Sequence, residues 1–388
     1  MLHPSRRKFL KTTASLMALA TAYAVGLMPS HFIAQANAEE ASPKGREYIL
    51  TCDTRTKSYT HTEISKHLIS RPGPLNVLDV AANEITLIDL PFLGHTVNQH
   101  ALNPSYVLTF EKWGHKAALV DVTAKKIMTV MESTHNHEFF GHMLFNADGK
   151  HFVDTEYEAN QPVGRLAIRD SSTMKIVDTF SSHGAWPHDT QSTDNGKTII
   201  VCNGGHGDSK SNISWIDFQS GKLLHQLDME AGYYVDYQHI SLSHDGWFCI
   251  TGKSKKQTAK LIQFVSPDGK AYYPKIPKDL MGKMIDETLS MTFLGKSGLL
   301  AVTIPKSNVI MVMDYKTQKL IEAITLDYPK SLLPSIDPSN SEYTLLTGTG
   351  KTRELFSIKV GAEYKPKERH LIKNDFGGVG SHMTRMYI

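Results

Sequence analysis

The sequence predicts an all-β chain folded as a seven-bladed β-propeller, closed by its last strand joining the N-terminal blade. Three observations predict this. Short β-prone runs recur with a period of about 40 to 50 residues, the mark of a propeller or solenoid. Turn dipeptides fall at matching places within each repeat, and no stretch shows a helical period. The two ends of the chain supply complementary parts of one repeat.

The clearest repeat starts at His142: an inner strand, a turn at Asp148-Gly149, then strands at His151 to Thr155, Gly164 to Asp170 and Lys175 to Phe180. The order recurs from His188, with a turn at Asp194-Asn195-Gly196 and strands at Thr198 to Cys202, Ile213 to Phe218 and Lys222 to Leu227. It recurs again from His239, with Asp245-Gly246. Weaker copies begin near His100, Ser290 and Pro334. The C-terminal run Ser381 to Ile388 is a single strand, whereas the start offers three: Glu47 to Cys52, Asn76 to Val80 and Glu84 to Leu90. An incomplete first repeat completed by the last strand closes the ring and removes its open edges.

Ahead of the propeller, residues 1–38 read as a cleavable export signal. Arg6-Arg7-Lys8-Phe9-Leu10-Lys11 precedes an apolar stretch from Thr12 to Pro29 and the exit Ala36-Asn37-Ala38. The paired arginines place it in the twin-arginine class, which implies the twin-arginine translocase as a partner and a periplasmic location. The apolar core is short and interrupted by Thr, Tyr and Gly, which argues against a membrane anchor. The mature domain is then 39–388. Losing Arg6, Arg7, Lys8 and Lys11 takes four basic residues and no acidic one, so 42 against 39 becomes 38 against 39. A balanced mature chain offers no nucleic-acid surface. Cys52, Cys202 and Cys249 each sit in an apolar run and read as buried unpaired thiols.

Aligning the blades on their inner strands puts His100, His142, His188, His239 and His382 at one equivalent position, with Ser290 and Pro334 in the two remaining blades. First strands line the central channel, so this register forms a ring of histidines around one axis, with a gap on one side. A second set, His95, His137 and His183, lies five residues upstream at the channel mouth. Loops on the same face bring His115, Glu156-Tyr157-Glu158, the run from Asn203 to Asp208, and Tyr234 with Asp236. Converging neutral imidazoles suit copper, zinc, iron or nickel, not calcium or magnesium. The ring therefore predicts a transition-metal site, with His95, His137 and His183 as outer or transfer ligands. Two other readings compete. Glu156 or Asp189 could handle protons in a redox or hydrolytic metalloenzyme, or the histidines could be structural in a protein-interaction propeller. His206 and Asp208 are equally consistent with a solvated loop tip, and the Lys-rich tract Lys365 to Lys373 with a solvated face.

The succession Leu90-Pro91-x-x-Gly94-His95, Phe139 to His142 with Phe145-x-Ala147-Asp148-Gly149, Thr155-Glu156, Ser182-His183-Gly184-x-x-Pro187-His188 and Asn203-Gly204-Gly205 resembles a bacterial Tat-exported family known only as a domain of unknown function. The resemblance spans nearly all of the mature chain. Such proteins are often encoded beside imelysin-type and other periplasmic iron-uptake components, so it implies a role around iron and iron-uptake proteins as partners, and puts iron first among the expected metals with copper or zinc close behind. Where the family carries an aromatic-Asp-Asn-His ending, this chain has Val379-Gly380-Ser381-His382, so only the final histidine carries over. More distantly, the ring is similar to the propeller of nitrous oxide reductase, whose channel histidines hold copper.

Overall fold

The computed structural model describes residues 45–53, 72–158, 161, 163–205, 209–229, 235–254, 259–282, 284, 286–334, 344–349, 352–360, 369–376 and 382–388. The expected export signal, His206, Asp208, Tyr234 and the stretch Val379-Gly380-Ser381 lie outside the described residues.

Seven antiparallel sheets, each built on four strands, make the blades. Blade 1 joins both ends of the domain: the inner strand Thr384–Tyr387 pairs with Glu47–Cys52, followed outward by Gly73–Asp79 and Glu84–Leu90. The inner strands of blades 2 to 7 are Thr96–Gln99, Glu138–Phe145, Pro187–Thr193, Asp236–Leu242, Met291–Phe293 and Pro329–Pro334. Consecutive inner strands from Thr384–Tyr387 to Pro329–Pro334 pack side by side. The Arg385 guanidinium donates to the Pro334 carbonyl at 2.5 Å and so links the seventh blade back to the first. Among the described residues, the longest α-helix is the single turn Lys278–Met281, and no helix is long and apolar enough to cross a membrane.

Strand burial follows position in the blade. The second and third strands are sandwiched between neighbouring blades and read as continuous apolar runs, such as Thr198–Asn203 and Val309–Asp314. Fourth strands face solvent and alternate or are exposed throughout, as in Ile176–Ser181. The three cysteines are buried free thiols.

Two blades carry extra strands that bear on the channel. Lys112–Gly114, from the loop between the second and third strands of blade 2, pairs with the channel side of Glu138–Phe145 in blade 3. In blade 5, Asp286–Glu287 pairs with Phe248–Ser254, so that Glu287 stands opposite Lys253.

The closing ladder runs from Glu47 opposite Tyr387 to Leu50 opposite Thr384. Met386 is fully buried there, packed in a core with Leu50, Val77 and Val120. Met386→Ala is expected to cost about 2–5 kcal/mol by leaving a cavity at the seam. Urea unfolding checks this, and a loss below about 1 kcal/mol would mean that the closing strand contributes little.

Candidate metal centre

Five imidazoles converge on the axis. His95, His142, His188 and His239 are all buried, and their ligand atoms lie within 4.8 Å of one another. The His382 ring packs against them, with centroids 5.0 Å from His95, 5.0 Å from His142 and 4.8 Å from His239. Five contiguous blades, 1 to 5, each supply one histidine.

Local backbone features aim these rings. Gly141 adopts φ +99°, and a Cβ there would collide with Cδ2 of His95, so the Gly-His pair of blade 3 makes room for the imidazole of blade 2. The Thr96 hydroxyl donates to the Gly141 carbonyl, tying the same two strands together. The His382 amide donates to the His95 carbonyl at 3.0 Å. In blade 4 the register shifts between Pro187 and Asp189, a bulge that turns His188 into the channel.

His142 shows the arrangement of an oriented ligand. Its Nδ1 lies 3.0 Å from Oδ1 of Asp189, whose Oδ2 accepts the Ile240 amide at 3.0 Å. The carboxylate accepts a hydrogen bond from the Nδ1–H and leaves the Nε2 lone pair for the centre. That Nε2 is buried and makes no hydrogen bond among the described residues. A carboxylate behind a histidine in this way sets its tautomer and raises its basicity toward a metal.

The spacing of His188 and His239 fits a hydrogen bond between two neutral rings, one carrying its proton on Nε2, and equally a shared metal ion. Their Nε2 atoms stand 3.1 Å apart. Two lone pairs at that distance repel unless a proton or a cation lies between them. Nitrogens bonded to one metal at about 2.0–2.1 Å, with an angle of about 90–110° between them, stand about 2.9–3.4 Å apart. Pairs as wide as the 4.8 Å limit of the cluster need to close by about 1.4 Å to share the same ion.

The three remaining candidates lie elsewhere. His100 sits at the turn after the inner strand of blade 2, where its Nδ1 accepts the Leu102 and Asn103 amides and its Nε2 lies 3.0 Å from the Ser171 carbonyl. Its amide bonds Tyr106 O as Asn146 N bonds His151 O in blade 3, so His100 matches Asn146, and His95 takes the channel position. The expected register slipped because blade 2 lacks the Asp-Gly type of turn that anchors blades 3 to 5. His137 Nδ1 lies 2.9 Å from the His135 carbonyl, and His183 Nε2 lies 3.2 Å from the Gly221 carbonyl. Both hold loops at the mouth and touch no ring of the cluster.

The channel position of blade 7 also differs from expectation. Thr155 Oγ1 bridges the carbonyls of His142 and His188, and Thr303 Oγ1 bridges those of Ser290 and Lys330. Lys330, and not Pro334, therefore closes the ring beside Ser290. Its side chain is 1% exposed. Lys112, carried by the extra strand, brings its ammonium 3.3 Å from His188 Nε2. Neither lysine stood out in the sequence. Lys330 becomes visible only when blades are aligned on the bridging threonines.

Glu156 is not poised as a proton handler. Its carboxylate accepts the Thr134 amide at 2.9 Å and the Thr134 hydroxyl, and pairs with Arg169 at 3.2 Å. Arg169 also holds Asp154 at 2.6 Å, making a buried ion cluster within blade 3.

Desolvation dominates the electrostatics. Burial holds the imidazoles of His95, His188 and His382 well below their ordinary value, with nearby Lys112 adding to the effect. They are neutral at pH 7, as ligation requires. Burial lowers both lysines to about 8, opposed by Glu287, so both remain mostly charged at neutral pH.

A cavity of about 320 Å³ lies on the other side of the histidine layer. His142, His239 and His382 face it together with Thr96, Thr190 and Ser290, and Asp189 is the one charged residue among the described residues lining it.

Fold and centre together define a seven-bladed β-propeller with a buried cluster of four histidines able to hold a metal ion. The chain belongs to the family described as "Protein of unknown function (DUF1513)", whose pattern matches residues 88–331. No curated protein matches the sequence. Among solved structures, a protein from Lactobacillus plantarum is similar at 14% identity and TM-score 0.61, covering 88% of this chain and 99% of that one. Kuenenia stuttgartiensis hydrazine synthase is similar at 11% identity and TM-score 0.60, covering 74% of this chain and 89% of that chain. At these identities the likeness concerns the fold alone.

The neutral histidines make metal-free stability depend on pH. Because His95, His188 and His382 have depressed folded-state values, they bind no proton when the unfolded chain does. Their contribution is fully present above about pH 6.5 and is lost as pH falls below it, with a combined slope of up to about 4 kcal/mol per pH unit. Urea unfolding of metal-free protein at pH 7.5, 6.5 and 5.5 measures this. A flat profile across that range would contradict a buried neutral cluster.

Proposed function

We propose that this chain is a periplasmic propeller that binds a transition metal in its histidine cage and takes part in metal capture or hand-over. The observation that carries the proposal is His142, oriented by Asp189 with its buried Nε2 turned to three further imidazoles. Four imidazole nitrogen donors and no first-contact carboxylate suit copper, zinc or ferrous iron, and disfavour oxygen-seeking ferric iron. Copper heads this order by intrinsic affinity; the iron expected from the family resemblance is then ferrous. The cavity lined by Asp189 offers a cation the approach that the lysine side denies it. Export through the twin-arginine route fits this reading, since the cage would be assembled and loaded before the periplasm offers competing metals. Periplasmic metal-uptake proteins are the partners this role requires.

Protein exported by its own signal and purified without a His tag is expected to carry about one equivalent of transition metal by elemental analysis. His142→Ala and His188→Ala should lose it. A wild type that binds no metal tighter than these variants overturns the proposal. Asp189→Asn is expected to retain the fold and weaken metal binding by roughly 10- to 100-fold, read by competition with a chromophoric chelator. Unchanged affinity would remove Asp189 from the site.

One observation favours a second reading, a metal-dependent enzyme: the 320 Å³ cavity reaches three of the histidines and leaves room for a substrate. Turnover of peroxide by metal-loaded protein, lost in His142→Ala, would favour it over metal carriage.

A further inference from the structure

We propose that Lys112 and Lys330 form an anion site on the mouth side of the histidine cage, which takes a small oxyanion of the carbonate or phosphate type. Its evidence is the two ammonium groups and their surroundings, so it stands apart from the metal reading.

The first observation is an imbalance of buried charge. Around this side of the channel, the described residues include Lys112, Lys330, Lys253 and Arg353 against two acids, Glu287 and Asp53. Asp53 is fully buried and pairs with Arg353 at 2.8 Å. Glu287 stands opposite Lys253 in the blade 5 ladder. Four positive charges thus face two negative ones, and Glu287 is the acid that acts on both Lys112 and Lys330, so one carboxylate serves two ammonium groups. Buried charge of one sign is costly unless an opposite charge joins it.

The second observation is the state of Lys330. Its ammonium is buried and makes no hydrogen bond among the described residues, although three N–H donors need acceptors. Tyr328 offers only a ring face, 5.6 Å away. An oxyanion supplies several acceptor oxygens at once, and hydrogen bonds between ammonium and oxyanion are of the strong, charge-assisted kind.

The third observation is how Lys112 reaches the channel. It arrives on the added strand Lys112–Gly114, whose middle residue, Trp113, adopts φ +61°. A bulky residue held in the left-handed region stores strain that the surrounding structure must impose. Gly114 lies so close to Glu111 that a Cβ would collide with its carboxylate. This strained loop places the ammonium 4.8 Å from the Trp113 ring centroid, 5.6 Å from that of Phe140 and 3.3 Å from His188 Nε2.

The site has a definite side. Lys112 pairs in register with Phe140, upstream of His142 on the same strand, whereas the cavity that Asp189 lines is bounded by residues downstream of the histidines, including Met143, Thr190 and Ser241. Cation and anion would meet the cage from opposite ends of the channel.

The test uses the mature protein, metal-free and metal-loaded, in buffer without other oxyanions. Sodium bicarbonate and inorganic phosphate are titrated separately by calorimetry. At least one is expected to bind the metal-free protein at about one equivalent with a Kd below about 1 mM. Lys112→Met and Lys330→Met should each weaken that binding about tenfold or more, as loss of a charge-assisted contact implies. Circular dichroism checks that both variants fold. Should Lys330→Met fail to do so, Lys112→Met, altered at a partly exposed position, decides alone. Absence of binding by both anions, or binding that both folded variants keep, overturns the proposal. Metal analysis of the same samples separates the two readings. Anion binding without metal would leave this site standing and remove the metal function, and the reverse result would remove only this site.

Discussion

Ring closure is the constraint on which the rest of the molecule depends. The short ladder between Thr384–Tyr387 and Glu47–Leu50 turns a row of sheets into a circle. It also brings His382 to the axis and bonds its amide to the His95 carbonyl, across most of the chain's length. Such non-local pairings are made late, because the entropy of closing a long loop has to be met before any contact rewards it. The cage is therefore a property of the completed fold. Blades 2 to 5 carry four of its histidines, but the fifth and the final fixing of His95 come with the last strand.

A closed channel is also what gives the imidazoles their chemistry. Packed ring against ring and removed from water, His95, His188 and His382 stay neutral at a pH where exposed histidines begin to charge. Asp189 is the one carboxylate bonded to a ring of the cluster among the described residues, and it sits behind His142 with its own oxygens held by backbone amides. The result is a compact set of lone pairs with one oriented member. The channel around it is polar in the electrical sense. Lysines crowd one side, and a cavity with a single carboxylate occupies the other.

The same geometry explains why some histidines were indistinguishable in the sequence. His95 and His100 both follow the spacing of a channel ligand. What separates them is a turn: His100 caps the bend between two strands with its Nδ1, as Asn146 marks the same place one blade on. Imidazole can replace an amide side chain in that role, so composition alone does not tell a cap from a ligand. Pro334 and Lys330 were confused for a related reason. Blade 7 has a weak repeat signal and no Asp-Gly dipeptide after its inner strand, so nothing in the residue pattern fixes the channel position four residues ahead of Pro334.

By itself the sequence determined the all-β class, the blade number, the sharing of one blade between both ends, and a channel rich in histidine. These follow from local signals, namely turn residues and apolar periodicity, which each repeat states independently. Only the tertiary structure decided which imidazoles meet, because a one-residue bulge or a turn cap changes what a side chain faces without changing its spacing. It alone also placed Lys112 and Lys330 beside the cage, since a strained strand from one blade reaching across another, and a lysine buried at the channel position where Pro334 was expected, are products of packing between distant segments.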